Sequence, residues 1–285
     1  MPEVYRPLLN FMIIGAQKCG TTALAQFLGQ HPHIIMTSEK EPHLFDAPDY
    51  SADWTSEQID DRYRPYFTSD PDSEKGTPAL GQAGTPAMGQ AGTPALEETP
   101  VEGLVRGEAT PIYLFLPEIA PELKRYNPSL KVIVLLRDPV ERAVSHYYME
   151  KGKGYEQLPF WLALICESSR LRRCGNPRRR GSAWRRHSYR RRGLYSVQLR
   201  NLFRHFDAAQ VMVVHAEYLA RYHDEVLKRV FEFLEVEGYP GVQAQTVFEG
   251  ARDGRRHRVV SWVLRMSFLP ESIRMRRFKV AQAPE

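Results

Sequence analysis

Cysteine is scarce in this sequence: its 285 residues include only three, Cys19, Cys166 and Cys174. Because these show no paired spacing, we expect neither a disulfide framework nor a zinc site, and a reducing compartment fits best. Long apolar runs are also missing. No stretch approaches the ~20 apolar residues of a membrane-spanning helix, and the first ten residues, with Glu3 and Arg6, do not resemble a signal peptide. We therefore expect a soluble, cytoplasmic protein without a membrane span.

Acidic residues are absent from one segment, residues 170–192, which contains eleven arginines. The chain has a formal net charge of +5, so the remainder, without those eleven positive charges, carries −6. The basicity is therefore local. This arginine tract has three explanations: contacts to an acidic glycan or nucleic acid, a solvated disordered loop, or a local frame error. We favour the solvated loop and do not expect a nucleic-acid partner, because only Trp184 and Tyr189 offer stacking surfaces.

Core-forming residues are few in the segment 76–99. It repeats an eight-residue unit three times, as GTPALGQA, GTPAMGQA and GTPALEET. Gly, Pro, Ala and Gln dominate these units, and three copies are much shorter than a solenoid array. We interpret the repeats as a flexible insertion in a surface loop, with a spacer or partner-binding tether as the alternative.

Short apolar runs alternate with helical patterns through the rest of the chain. The predicted strands are residues 11–14, 131–136 and 210–214. The predicted helices begin after Gly20 and at residues 117–126, 140–149, 195–206 and 224–234. This alternation predicts an α/β fold with a central parallel sheet covered by helices on both faces.

The segment GAQKCGTT follows the first predicted strand and opens a helix, which Thr21 and Thr22 are placed to cap. Loops of this kind aim backbone N–H groups and a helix N-terminus at an anion. In the P-loop of nucleotide hydrolases the lysine follows the last glycine, whereas here Thr21 takes that place and Lys18 lies inside the loop. Lys18 is thus placed to reach a bound anion. A glycine turn with a surface lysine is the simpler interpretation.

The segment LLRDPVERAVS lies where a parallel strand ends and a helix begins, the usual ligand edge of such sheets. Arg137 offers a planar fork for a phosphate, and Ser145 can donate a second hydrogen bond from the helix. The alternative is that Arg137 and Arg142 pair with Asp138 and Glu141.

The segment 39–46, EKEPHLFD, places carboxylates, a lysine and an imidazole next to an aromatic residue. A carboxylate here is suited to take the proton of an acceptor molecule. A solvated polar loop is the alternative.

Taken together, these segments resemble the sulfotransferases that use 3'-phosphoadenosine-5'-phosphosulfate (PAPS), especially the branch of heparan sulfate sulfotransferases and their bacterial relatives. IIGAQKCGTTAL is similar to the family's 5'-phosphosulfate loop, KVIVLLRDPVERAVSHYY to its 3'-phosphate motif, and KEPHLFD to the segment of the catalytic base. GEATPIYL and RGLYSVQLRNLFRHF match in place and order. GRRHR, which contains Arg255, is similar to the late basic loop that closes over the nucleotide.

The resemblance implies a single P-loop-kinase-like domain over residues 8–285, interrupted by the repeats at 76–99 and the arginine tract at 170–192. Bacterial relatives usually continue into a last helix, so a truncated C-terminus is an open alternative. The implied reaction moves a sulfuryl group from PAPS to a hydroxyl or amine of a carbohydrate, glycolipid or small molecule. A P-loop NTPase or kinase, and a nucleic-acid-binding protein acting through the tract, are the alternatives.

The resemblance also implies residue roles. Lys18 would stabilise charge on the leaving 5'-phosphate and the sulfuryl group. Glu41 would be the general base, supported by His43. No metal is implied, because Lys18 and the helix N-terminus supply the positive field. The residues implied to bind the donor are Lys18, Cys19, Gly20, Thr21, Thr22, Arg137, Ser145 and Arg255.

Overall fold

The computed structural model describes residues 5–67, 103–243 and 258–278. The octapeptide repeats at 76–99 and the basic segment around Arg255 lie outside the described residues, so the expectations for them remain predictions.

Five parallel strands form one sheet in the order β2-β3-β1-β4-β5. The central strand β1 is buried along its whole length, as expected for a strand covered on both faces. Its first residue, Phe11, pairs with Gly107 on one side and Lys131 on the other. A Cβ at Gly107 would lie 2.2 Å from the Phe11 ring, so this position requires glycine. The strands are β1 (Phe11–Gly15), β2 (Ile34–Met36), β3 (Val105–Ala109), β4 (Lys131–Leu136) and β5 (Val211–His215).

Helices pack against this sheet and confirm the predicted α/β class. The helix predicted to reach Phe206 ends at Leu202. Strands β2 and β3 were not recognised because they lack long apolar runs. The helices are α1 (Thr21–Leu28), α2 (Ser56–Tyr63), α3 (Ile119–Tyr126), α4 (Pro139–Gly152), α5 (Phe160–Arg172), α6 (Ala183–Arg186), α7 (Tyr195–Leu202), α8 (Ala216–Arg221), α9 (His223–Leu234), α10 (Arg258–Ser267) and α11 (Leu269–Met275). Across the described ranges, none of these is long and apolar enough to cross a bilayer.

The arginine tract is folded, and the prediction of a solvated disordered loop is wrong. Helix α5 extends into it as far as Arg172, and α6 lies entirely within it. Several of its arginines meet carboxylates from outside the tract: Arg170 lies 2.6 Å from Glu156, and Arg178 contacts two glutamates at the start of α3. These partners lie outside the tract, so the charge composition of the tract alone gave no sign of them.

Arg192, the last arginine of the tract, is almost completely buried. Its guanidinium carbon lies 4.8 Å from the centre of the Phe115 ring, and it donates a hydrogen bond to the side chain of Gln17. Because Gln17 belongs to the loop after β1, this arginine links the tract to the GAQKCGTT segment.

Candidate active site

A cleft opens at the carboxyl edge of the sheet, where the loops after β1, β2, β3 and β4 meet. Parallel strands bring their carboxyl ends to one edge, which is why segments far apart in sequence converge there. All three motifs singled out from the sequence contribute to it. Its lining residues are Gln17, Lys18, Gly20, Thr21, Thr22, Ala23, Lys40, Glu41, Pro111, Arg137, Ser145, Met149 and Lys153.

The loop after β1 turns sharply into α1. Lys18 and Gly20 have φ angles of 71° and 87°, in the left-handed region; the backbone thereby turns so that α1 begins at the cleft. The first N–H groups of a helix have no intrahelical acceptor, and here they lie at the cleft wall. Gly20 itself is the N-cap residue and no side chain caps the helix, so the prediction that Thr21 and Thr22 cap it is wrong. Both threonines instead lie in the first turn and line the cleft.

Positive charge dominates the cleft. Lys18, Lys40, Lys153 and Arg137 line it, against one carboxylate, Glu41. Burial lowers the pKa of Lys18, and the neighbouring charges of Lys40, Lys153 and Arg137 lower it further. Such a site favours a strongly anionic ligand, which would relieve the mutual repulsion of the cations.

Cys19 does not line the cleft, in contrast to its predicted role in donor binding. Its side chain is fully buried, with Sγ 3.6 Å from the hydroxyl oxygen of Tyr195. Burial raises the pKa of the thiol to about 11, and the backbone N–H already donates to the Ala16 carbonyl at 3.2 Å. Cys19 therefore supports the loop from beneath.

The loop after β4 contributes Arg137 to the cleft lining, and helix α4 contributes Ser145. Arg137 donates to Glu141 at 2.7 and 3.1 Å, as the alternative interpretation expected, whereas Arg142 is buried beneath and donates to the backbone carbonyl of Tyr189. An ion pair near the surface contributes little stability. Arg137 can therefore exchange Glu141 for a bound phosphate at small cost.

Glu41, His43 and Asp46 form a connected chain of side chains. Glu41 Oε2 lies 3.4 Å from His43 Nε2, and His43 Nδ1 lies 3.0 and 3.2 Å from the two oxygens of Asp46. Glu41 and His43 both have left-handed backbone conformations, with φ angles of 57° and 59°. Strain of this kind in non-glycine residues is concentrated at functional sites. Glu41 faces the cleft and His43 stands behind it.

The charges in this chain are set by mutual contact. Burial alone would lower the pKa of His43, but the hydrogen bonds to Asp46 and Glu41 raise it to about 9. The ring is then an imidazolium that donates from both nitrogens. Burial would raise the pKa of Glu41, but the hydrogen bond to His43 and the charge of Lys40 lower it overall. Glu41 is therefore an ionised carboxylate at neutral pH.

Several cleft residues escaped the sequence-based prediction. Lys40 lies next to Glu41 in the third motif, with Nζ 3.7 Å from Oε1. Met149 and Lys153 follow Ser145 at intervals of four residues, so they share its side of α4. This four-residue spacing is the sequence feature from which Met149 and Lys153 could have been predicted to line the cleft. No group of three or more His, Cys, Asp or Glu side chains suited to a metal ion occurs among residues 5–67, 103–243 and 258–278.

The family model described as "Sulfotransferase domain" matches residues 9–254. Mouse heparan sulfate glucosamine 3-O-sulfotransferase 3A1 is 28% identical over 240 residues, which cover 82% of this chain and 47% of that protein. The membrane-associated sulfotransferase kil1 of Dictyostelium discoideum is 33% identical over 144 residues, or 50% of this chain and 23% of kil1. The chain thus spans less than half the length of these curated relatives.

A solved structure gives the same picture over nearly the full length of both chains. The crystal structure of a sulfotransferase from Alicyclobacillus acidocaldarius aligns with a TM-score of 0.66 and 28% identity, covering 96% of each chain. The family match extends across the three segments that converge on the cleft, and the resemblance inferred from the sequence is confirmed. This chain belongs to the sulfotransferase family.

Proposed function

We propose that this protein transfers a sulfuryl group from PAPS to a hydroxyl or amine of an acceptor. The observation that carries the proposal is the composition of one cleft, where a helix N-terminus, Lys18 and Arg137 stand with the single ionised carboxylate Glu41. The cationic groups suit a polyanionic donor, and the carboxylate suits removal of the acceptor's proton.

In the proposed reaction, the acceptor oxygen or nitrogen attacks the sulfur of the donor in line. The bond from sulfur to the bridging oxygen of the 5'-phosphate breaks as the new S–O or S–N bond forms, the acceptor's proton passes to Glu41, and 3'-phosphoadenosine-5'-phosphate (PAP) leaves. Such transfers through a loose transition state rely on positioning and charge stabilisation. Lys18 and the N-terminus of α1 would stabilise the charge that develops on the bridging oxygen.

Arg137 and Ser145 are proposed to bind the 3'-phosphate, which distinguishes PAPS and PAP from AMP and ATP. Both line the cleft; Arg137 directly follows β4, and Ser145 lies on α4. His43 would keep Glu41 ionised and oriented, since its imidazolium lies against Oε2. Oε1, which lies 3.7 Å from Lys40 Nζ, would take the acceptor's proton. The names of the heparan sulfate relatives favour a carbohydrate acceptor.

The test is transfer of label from radiolabelled PAPS to a panel of acceptors, namely heparan sulfate oligosaccharides, a glycolipid and small alcohols and amines. We expect label in at least one acceptor, and calorimetry should give far tighter binding of PAP than of AMP. Magnesium-dependent turnover of ATP, without transfer from PAPS, would instead indicate a phosphoryl transferase or hydrolase. Equal affinity for PAP and AMP would contradict the assignment of Arg137 and Ser145.

A further inference from the structure

One arginine of the tract reaches the Glu41 side of the cleft from behind. Helix α6 begins after Ser182, whose side chain accepts a hydrogen bond from the backbone N–H of Arg185. The Arg185 side chain, only 10% exposed, lies with Nη1 2.6 Å from Asp46 Oδ2. Its Nη2 is 3.3 Å from His43 Nδ1, across 142 residues of sequence.

The protonation of His43 decides which of these contacts is a hydrogen bond. In an imidazolium, the Nδ1–H donates to Asp46 and Nδ1 cannot accept a hydrogen bond. Arg185 and His43 are therefore close neighbours without a hydrogen bond between them, and both bind the side chain of Asp46. The Asp46 side chain is fully buried. A buried carboxylate is costly unless its charge is paired and its oxygens are hydrogen-bonded. Arg185 and His43 meet that need from two sides and thereby fix where Asp46 lies.

We propose that Arg185 is a positioning residue for sulfuryl transfer: it holds Asp46, which holds the His43 ring, which orients Glu41. This inference rests on the proposed function, in which Glu41 takes the acceptor's proton. Arg185 does not line the cleft, so its effect passes through Asp46 and His43. The tract would therefore contribute to catalysis without touching either substrate.

The same tract offers a matched control in Arg178. Its side chain is 24% exposed and makes two ion pairs, at 3.0 Å with Glu118 and 2.8 Å with Glu122. These carboxylates stand at the start of α3, which contributes no residue to the cleft. Arg185 Nη1 also donates to the backbone carbonyl of Arg178 at 3.0 Å. Arg178→Met keeps that carbonyl and removes only side-chain ion pairs, neither of which involves Asp46, His43 or Glu41.

The kinetic experiment compares Arg185→Met, Arg185→Lys and Arg178→Met in the full-length protein, with radiolabelled PAPS and an acceptor from the panel. Arg185→Met keeps the apolar stem and loses the charge, so we expect kcat to fall by roughly 10- to 100-fold, as for a displaced catalytic group, with the Kd for PAP unchanged. Arg185→Lys, which keeps the charge without the fork, should give an intermediate kcat. Arg178→Met should lower the Tm and leave kcat at the wild-type level.

A second measurement follows the His43 ring directly by NMR titration, with its signals assigned through His43→Gln. The charged and titratable groups facing the ring are Glu41, Asp46, Arg185 and Glu108. Without Arg185, His43 is the one remaining cationic partner of Asp46 among these groups, and no neighbouring guanidinium disfavours its charge. The pKa of His43 should therefore rise in Arg185→Met and stay constant in Arg178→Met.

The outcomes separate this inference from the proposed function. A wild-type protein that transfers no sulfuryl group would overturn the function, and the catalytic meaning of Arg185 would fall with it. Normal wild-type transfer, together with full kcat and an unchanged His43 titration in Arg185→Met, would overturn the role of Arg185 alone. If Arg185→Met does not fold, as judged by loss of PAP binding, Arg185→Gln decides: wild-type kcat and an unchanged His43 titration in that variant overturn the role of Arg185.

Discussion

The two walls of the cleft are built in different ways. On the proposed donor side, Lys18 and Arg137 each lie within a few residues of a strand end, in continuous strand–loop–helix segments. On the proposed acceptor side, Glu41 lies in a loop whose geometry depends on His43, Asp46 and a tract more than a hundred residues away. The donor side is therefore local in sequence, and the acceptor side depends on long-range packing.

This difference explains what the sequence could predict. The buried strands β1 and β4, the helices that follow them and the cleft positions of Lys18 and Arg137 were predictable, because each rests on a pattern within about fifteen residues. The connected side chains Glu41, His43 and Asp46 were only partly predictable. Glu41 and His43 were singled out from the sequence, but Asp46 was not given a role. Arg185 was beyond sequence reasoning, since nothing near it in the chain indicates a buried carboxylate as its partner.

Charge counting failed for a related reason. A run of arginines without acidic neighbours usually indicates a solvated segment. This is correct for arginines such as Arg179 and Arg190, which are exposed. It is wrong for arginines such as Arg178 and Arg185, because folding brings carboxylates from the acidic remainder of the chain into contact with them. A surplus of −6 outside the tract was visible in the sequence, but its placement depends on the fold.

The largest expected effect separates the two walls kinetically. Glu41→Gln keeps the shape of the side chain but removes the base, so it should reduce turnover by roughly 10²–10⁴-fold with PAP affinity intact. Lys18→Ala should lower both PAP affinity and turnover, the latter by roughly 10²–10³-fold, because the charge of Lys18 stabilises the bound donor and the transition state alike. Calorimetry with PAP and steady-state transfer assays measure the two quantities.

The opposite pattern would break the comparison. Unimpaired turnover in Glu41→Gln would move the base elsewhere, with His43 as the next residue to test. A Lys18→Ala variant with normal PAP affinity would remove the loop after β1 from the donor site.

An intermediate effect is expected on the donor wall alone. A charge-assisted hydrogen bond contributes roughly 1.5–3 kcal/mol, so Arg137→Ala should weaken PAP binding by about tenfold or more and leave AMP binding unchanged. Glu141→Gln is the matched control, because it removes the resident partner of Arg137 and keeps the arginine. It should preserve PAP affinity or increase it slightly. A parallel loss of PAP and AMP affinity in Arg137→Ala would mean that the arginine acts on the loop rather than on the 3'-phosphate.

The smallest catalytic effect is expected at Glu108, which lies at the end of β3 behind the acceptor wall and does not line the cleft. Its side chain is fully buried, and burial raises its pKa to about 8, although the positive charge of His43 opposes the shift. The folded protein therefore holds a proton on Glu108 between the ordinary pKa near 4.5 and about 8, where the unfolded chain has released it. Folding stability gained from this proton is complete below the lower value and is lost as the pH rises towards the upper one.

Glu108→Gln mimics the protonated form at every pH, so it should remove this contribution. Relative to the wild type, the variant should gain stability steadily from pH 5 to 8, by at most about 1.4 kcal/mol per pH unit. His43 also loses its stabilising proton as the pH rises through about 9, but it is present in both proteins, so the difference between their urea midpoints isolates Glu108. Turnover at pH 7 should change little, since the neutral amide replaces a neutral acid. Parallel stability curves for the two proteins would show that Glu108 is ionised in the fold, and the acceptor wall would then carry one more negative charge behind His43 than we infer.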